Sequence, residues 1–139
     1  MPSIRYQRLA SELLPLANKF YKSQRSPMRV GRNEQVWVAQ QAEIIAACCL
    51  KPVADGHWLT ALLVAREQRQ QGIASQLLNA LRAHSQGPIW LFCAPELLSF
   101  YQRLGFAPCP ALPAELTERL LRYQRKQPLL ALAAPPQCG

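Results

Sequence analysis

Residues 59–78 constrain the fold more than any other stretch, because a strand pattern is followed at once by a helix pattern. The run Leu59–Ala65 has the length and continuity of a buried strand. From Ile73 onward, Leu77 and Leu81 recur at the spacing of one helix face, with Ala74 and Leu78 beside them. The backbone between these elements must turn sharply. The stretch therefore predicts a strand, a short polar loop and a helix.

The loop in this stretch predicts an anion-binding site. The first N–H groups of a helix lack intrahelical partners, and the helix dipole adds partial positive charge there. Gln70, Gln71 and Gly72 lie at this point, and Gly72 lets a ligand approach the backbone closely. Arg69 adds a guanidinium group. A polyphosphate cofactor is one interpretation, and an ordinary strand-to-helix turn is the other, since neither a Walker sequence nor G-x-G-x-x-G is present.

The remaining chain alternates strand and helix patterns. Strands are predicted at residues 3–9, 34–40, 43–50, 57–65, 89–93 and 128–133, with an extended segment at 106–107. Helices are predicted at residues 11–21, capped by Ser11 and interrupted near Pro15, and at residues 72–87, 95–105 and 113–126. The strands from residue 34 to 65 form a meander, and residues 57–93 form a right-handed parallel crossover.

Length and composition predict one globular domain. The chain has 139 residues, half of them apolar and 17% charged. We assign residues 1–133 to the domain and residues 134–139 to a flexible tail. The longest apolar run, residues 44–50, is too short for a membrane helix, and the first residues lack the apolar region of a signal peptide. A cytoplasmic protein without membrane partners is expected.

The cysteines and the charge do not define a site by themselves. Five cysteines, two of them adjacent at Cys48 and Cys49, have no zinc-ligand spacing, so we expect reduced core residues and no metal. A catalytic role for Cys93 or Cys109 is a minor alternative, as no histidine is near either in sequence. The net charge of +8 attracts polyanions, but the basic residues are dispersed. Nucleic-acid binding is therefore the least favoured function.

Two motifs carry a resemblance to a known family. The first is Leu62-x-Val64, four intervening residues, and Arg69-x-x-Gly72-x-Ala74, and the second is Phe100-Tyr101-x-x-x-Gly105-Phe106 after the next strand. In position and spacing they resemble the two best-preserved motifs of the GNAT-type N-acetyltransferase superfamily. The resemblance covers about the middle third of the chain, and the order of elements is also similar. It implies an α/β (α+β) fold with a mixed, mostly antiparallel sheet, helices on both faces, and a splay between two parallel strands.

The resemblance also implies acetyl-CoA as the cofactor and a primary amine of a small molecule or peptide as the acceptor, joined by direct attack in a ternary complex. The loop would bind the pyrophosphate through backbone N–H groups, and the end of the preceding strand would pair with the pantetheine arm. Ala94 occupies the position of a frequent asparagine that contacts this arm. The implied cofactor-binding residues are Leu62, Leu63, Val64, Arg69, Gln70, Gln71, Gly72, Ile73, Ala74, Ser75 and Ala94.

Tyr101 matches the tyrosine that commonly protonates the leaving thiolate in this family, and a core aromatic at helical spacing is its alternative. The general base is less clear. Glu43, Asp55, His57 and Glu67 are candidates, and His57 is preferred because of its unperturbed pKa.

The acceptor pocket is expected between the N-terminal helices and the hairpin, at Phe20, Tyr21, Met28, Trp37 and Trp58, although Trp37 also suits plain core packing. A non-catalytic, acetyl-CoA-responsive module on the same fold is the main alternative function. The sequence leaves both a monomer and a homodimer open.

Overall fold

The computed structural model describes residues 3–135, which form one seven-stranded sheet in the order β1-β2-β3-β4-β5-β7-β6. The strands are β1 Arg5–Arg8, β2 Gln35–Gln40, β3 Ile44–Val53, β4 Gly56–Val64, β5 Ile89–Cys93, β6 Ala107–Pro108 and β7 Leu130–Ala134. Within the described residues, β4 and β5 are the one parallel pair, and the other neighbours are antiparallel. The predicted mixed, mostly antiparallel sheet is confirmed.

The helices are α1 Leu14–Ser23, α2 Ile73–His84, α3 Leu98–Arg103 and α4 Ala114–Gln124. Single 3₁₀ turns at Ser11–Leu13, Arg66–Gln68 and Pro95–Leu97 precede α1, α2 and α3. Within residues 3–135, no helix has the length and apolar character that a membrane crossing requires.

The start of α1 differs from the prediction. Pro15 lies in the first turn of the helix, where its missing N–H removes no hydrogen bond, so the predicted interruption is wrong. Ser11 begins the 3₁₀ turn, and its hydroxyl contacts Glu12 instead of capping the helix. At the other end of the chain, β7 extends to Ala134, one residue into the predicted tail. Residues 136–139 of that tail lie outside the described residues.

The helices cover both faces of the sheet. Alternate strand residues point to opposite faces. Cys48 and Leu91 lie in the core beneath α2 and α3, whereas Cys49 packs beneath α1 and Trp90 beneath α4. We call these the α2 face and the α1 face. The leucines of the predicted helical stripe, Leu77, Leu78 and Leu81, are fully buried on the α2 face.

The parallel strands β4 and β5 are joined at one end only. Within the described residues they pair at His57 with Ile89 and at Trp58 with Trp90, although β4 continues to Val64. At the joined end the turns approach so closely that a Cβ atom on Gly56 would overlap the carbonyl oxygen of Pro88. Beyond Trp58 the strands separate, which confirms the predicted splay. The resulting gap lies in the middle of the sheet.

Candidate active site

A bulge bends β4 beside the gap. Cys49 of β3 lies opposite Thr60, but Ala47 lies opposite Leu63, so β4 has one residue more than β3 between these pairs. Ala61 takes up the extra length with a φ of 57°, a left-handed conformation that is uncommon for alanine. The bulge therefore changes the direction of β4 where the strand borders the gap.

The last residues of β4 present an open edge to the gap. The N–H of Ala65 donates to the carbonyl oxygen of Ile45 in β3 at 2.8 Å. Because strand N–H and C=O groups alternate in direction, those of Val64 point away from β3, toward the gap. Arg69 lies on this side, since its Nε donates to the carbonyl oxygen of Val64 at 3.1 Å. An extended ligand could therefore pair with β4 along this edge.

The loop before α2 exposes a set of backbone donors. The first helical hydrogen bond runs from the N–H of Gln76 to the carbonyl oxygen of Gly72 at 3.1 Å. Among residues 3–135, no carbonyl oxygen accepts from the N–H groups of residues 70–75. Gln70 and Gly72 have φ values of 66° and 76°, and a Cβ on Gly72 would meet nothing within 4 Å. The unpartnered donors, the helix dipole and the open space together suit a phosphate group.

The loop and the β4 edge border one cavity of about 580 Å³ on the α2 face. Nine of the residues predicted to bind the cofactor line it: Leu62, Leu63, Val64, Arg69, Gln70, Gly72, Ile73, Ala74 and Ser75. Gln71 is exposed at the tip of the loop, outside this lining. Ala94 lines a second cavity of about 310 Å³ that lies between β4 and β5.

The cavities adjoin one another through the gap. The first and second cavities share Leu62, Leu97 and Tyr101. The second also shares Thr60 and Phe92 with a groove of about 450 Å³ that includes residues of the α1 face. The site therefore extends from the N-terminus of α2, through the sheet, to the opposite face.

Tyr101 lies where the first two cavities meet. Its ring is 8% exposed and packs edge-on against Phe100 and Phe106, with centroid distances of 5.0 and 5.8 Å. Within the described residues its hydroxyl has no hydrogen-bond partner. Burial, with a smaller effect from Cys93 and Cys48, raises the pKa of Tyr101 to about 12. The hydroxyl is therefore protonated at neutral pH and free to donate to a group in either cavity.

His57 lies elsewhere. It begins the joined end of β4, roughly 16 Å along the strand from Leu62 at ~3.3 Å per residue. It lines a separate cavity of about 400 Å³ with Trp37 and His84, and its Nδ1 is buried without a partner. Burial, and then the charge of Arg8, lowers the pKa of His57. The structure does not bring His57 together with Tyr101.

The other candidate bases are also outside the site. Asp55 and Glu67 are exposed on turns, and Glu43 lines a cavity beside α1. Among residues 3–135, no Asp, Glu or His lines the two cavities and the groove that adjoin at the gap. A side-chain base is therefore absent from these linings.

The groove on the α1 face partly matches the expected acceptor pocket. Met28 and Trp58 line it, whereas Phe20 and Tyr21 are buried in the core and Trp37 packs on the α2 face. Sequence reasoning missed several further lining residues, namely Arg29, Phe92, Tyr123, Gln127 and Leu129. The side chain of Tyr123, near the end of α4, is 40% exposed. The sequence offers no signal that the end of α4 reaches this groove.

Residues 32–108 match the family model described as "Acetyltransferase (GNAT) domain". No curated protein gives a significant match. Among solved structures, the chain is similar to Tetrahymena GCN5, with a TM-score of 0.70, 11% identity and 96% of each chain covered. For an acetyltransferase of the GNAT family from Staphylococcus aureus, the TM-score is 0.63 at 13% identity, over 97% of this chain and 100% of the other.

A further similar structure is N-acetylglutamate synthase from Neisseria gonorrhoeae, complexed with coenzyme A and N-acetyl-glutamate. Its TM-score is 0.67 at 15% identity, over 99% of this chain and 36% of the other. At these identities the solved structures establish the similarity of the folds.

Proposed function

The chain belongs to the GNAT acetyltransferase family, and from this membership we propose that it transfers the acetyl group of acetyl-CoA to a primary amine of a small molecule or peptide. One observation carries the proposal: the unpartnered N–H groups of Gln70 and residues 72–75, the open edge of β4 and Tyr101 border the same cavity. In acetyl-CoA, the pyrophosphate would bind the N–H groups, the extended pantetheine arm would pair with the strand edge, and the leaving thiolate would lie beside Tyr101.

The residues present are suited to hold acetyl-CoA. The N–H groups from Gln70 to Ser75 and the dipole of α2 would bind the pyrophosphate, and Arg69 adds positive charge. The edge of β4 at Leu62 and Val64 would pair with the amide groups of the pantetheine arm, as an added strand does. Ala94 offers no side-chain hydrogen bond, so backbone contacts must provide most of the affinity.

Tyr101 is the proposed acid, which acts as a hydrogen-bond donor to the leaving thiolate. Acetyl-CoA, when bound, supplies an acyl group on a thioester with a thiolate as leaving group. The nitrogen lone pair of the acceptor attacks the acyl carbon, the carbon–sulfur bond breaks, and one amine proton ends through water on the sulfur. The pKa of Tyr101, raised to about 12, lies above the ~8.5 of an ordinary thiol. Tyr101 therefore stabilises the departing sulfur mainly by donating a hydrogen bond.

The proposed mechanism has no side-chain base. His57 lies at the other end of β4, and none of the described residues that line the cavities beside Tyr101 is an Asp, Glu or His. The acceptor therefore reacts as the neutral amine, with water taking its proton. The same feature, together with Ala94, favours the second candidate function, a non-catalytic module that binds acetyl-CoA and responds to it.

Two measurements on the purified chain separate these functions. Titration calorimetry with acetyl-CoA measures binding, and a thiol-release assay against a panel of primary amines measures transfer. We expect binding together with amine-dependent thiol release. Binding without release for any amine would favour the non-catalytic module, and failure to bind acetyl-CoA would contradict both functions.

A further inference from the structure

The groove on the α1 face has an aromatic wall. Trp58, Phe92 and Tyr123 form a cluster in which the Trp58 and Phe92 centroids are 5.4 Å apart. Tyr123 meets Phe92 edge-on at 6.3 Å and lies 6.5 Å from Trp58. All three side chains line the groove, which shares Thr60 and Phe92 with the cavity between β4 and β5. An acceptor that enters from this face meets an apolar, aromatic surface before it reaches the gap.

Among the described residues, the charged side chains that line the groove or stack on Trp58 are arginines. Arg29 lines the groove, and the guanidinium carbon of Arg119 lies 4.7 Å from the centre of the Trp58 ring. Within residues 3–135 neither guanidinium has a hydrogen-bond or ion-pair partner, and the Nε of Arg119 is buried without one. In the described part of the chain, no Asp or Glu lines the groove or the adjoining cavity. Two unneutralised guanidinium groups thus stand beside an aromatic surface.

From this arrangement we infer that the acceptor is an amine with an apolar or aromatic body and a carboxylate, such as an aromatic amino acid, and that Arg29 binds the carboxylate. The inference rests on the proposed function and names its substrate class. Guanidinium groups match carboxylates in geometry as well as in charge. A polyamine would bring more positive charge into a groove that holds no acid, so this class is disfavoured.

The same positive charges account for the missing base. A nearby positive charge disfavours the protonated form of a bound amine and so lowers its pKa. The groove therefore delivers more of the acceptor as the neutral amine than bulk water contains at the same pH. Recognition of the carboxylate and deprotonation of the amine are then two effects of the same charges.

Binding of N-acetylated products tests the inference without turnover. The protein saturated with CoA is titrated with N-acetyl-L-phenylalanine and with N-acetyl-L-phenylalaninamide. These ligands have no ionisable amine, so they differ only in the carboxylate. We expect the acid to bind about tenfold more tightly than the amide. The R29Q variant should reduce this ratio to about twofold, with Arg119 left in place, and the control R5Q, on the exposed edge strand β1, should not change it.

Equal or weaker binding of the acid, binding of neither ligand, or an unchanged ratio in R29Q would overturn the inference. Thiol release with L-phenylalanine and with spermidine provides a second readout, and faster release with spermidine would also overturn it. A carboxylate preference in binding without thiol release from any amine would contradict the proposed catalysis but support the assigned acceptor class. The two proposals can therefore fail separately.

Discussion

The hydroxyl of Tyr21 donates a hydrogen bond of 2.7 Å to the carbonyl oxygen of Ala61. Tyr21 lies on α1 and is fully buried, and Ala61 is the left-handed residue of the β4 bulge. A non-glycine residue in this conformation costs on the order of 1 kcal/mol, so a specific contact is needed to hold it. Tyr21 therefore fixes the shape of the strand edge from the opposite side of the sheet, without lining the cofactor cavity.

The Y21F variant tests this positioning role. Removal of the hydroxyl leaves the partly buried carbonyl oxygen of Ala61 without this partner, so we expect the free energy of unfolding to fall by roughly 1 kcal/mol. We also expect acetyl-CoA affinity to fall several-fold, because the edge that ends in Val64 is less well ordered. Urea unfolding and calorimetry measure the two effects. Y6F is the matched control, since Tyr6 donates no such bond within the described residues, and unchanged affinity in Y21F would contradict the role.

The Y101F variant separates chemistry from binding. It removes the hydroxyl but retains the ring that packs against Phe100 and Phe106. Turnover should fall by roughly ten- to a thousandfold, while the affinity for acetyl-CoA stays unchanged. Because the hydroxyl loses its proton only near its raised pKa of about 12, wild-type turnover should not decline between about pH 8 and 10. Full turnover in Y101F would exclude Tyr101 as the acid.

A pair of substitutions at Gly72 tests the phosphate site. Asp and Asn both tolerate positive φ and both suit the first position of a helix, and a Cβ at this point meets no other atom within 4 Å. The two variants therefore differ in charge, not in shape. We expect G72D to bind CoA at least tenfold more weakly than G72N, a difference that shrinks at high salt. Equal affinity of the two variants in calorimetry would place the pyrophosphate elsewhere.

Buried thiols predict a loss of stability in alkali. Burial raises the pKa of Cys49 to about 12, and it raises that of Cys48 well above its ordinary value of 9.0. The unfolded chain gives up these protons first as the pH rises, so the free energy of unfolding falls above about pH 9 by ~1.4 kcal/mol per thiol and pH unit. Between about pH 8 and 10 the loss should total roughly 2 to 3 kcal/mol.

Urea unfolding under reducing conditions at both pH values measures this loss. C48A should reduce it by about 1.4 kcal/mol, because the contribution of one buried thiol is removed. The control C109A, at a half-exposed thiol, should retain the full loss. An unfolding midpoint that does not change with pH would show that the thiols ionise alike in the folded and unfolded chain.

Most of the sheet could be predicted because apolar periodicity reports which residues become buried. The crossover from β4 through α2 to β5 has strong signals at both ends, in the loop with Gly72 and in Gly87-Pro88. The end of β3 could not be predicted in this way. β3 continues past Leu50 through Lys51 and Pro52, because these residues pair with Trp58 and His57. Strand pairing, and not the apolar pattern, determines the length of β3 here.

Parts of the candidate site could be predicted from the sequence where the backbone conformation favours a particular residue type. Glycine at residue 72 indicates positive φ, but alanine at residue 61 does not, so the bulge had no signal. The choice of His57 as the preferred base rests on the ordinary pKa of histidine, which carries no information on position. His57 lies at the amino end of β4. This position argues against a role as general base, because ligands bind at the carboxyl ends of the strands in parallel sheets. The groove on the α1 face depends on where α4 packs against the sheet, which tertiary packing decides.

The closely packed turns at Gly56 and Gly87 also affect the width of the gap between β4 and β5. A Cβ on either residue would overlap the backbone of the opposite turn, so any larger side chain must push the two turns apart. β4 and β5 are paired beside these turns and diverge toward Tyr101. A small change in the angle between the two strands therefore produces a larger change in their separation beside Tyr101. The width of the gap beside Tyr101 thus depends on turns that lie outside the linings of the two cavities that meet there.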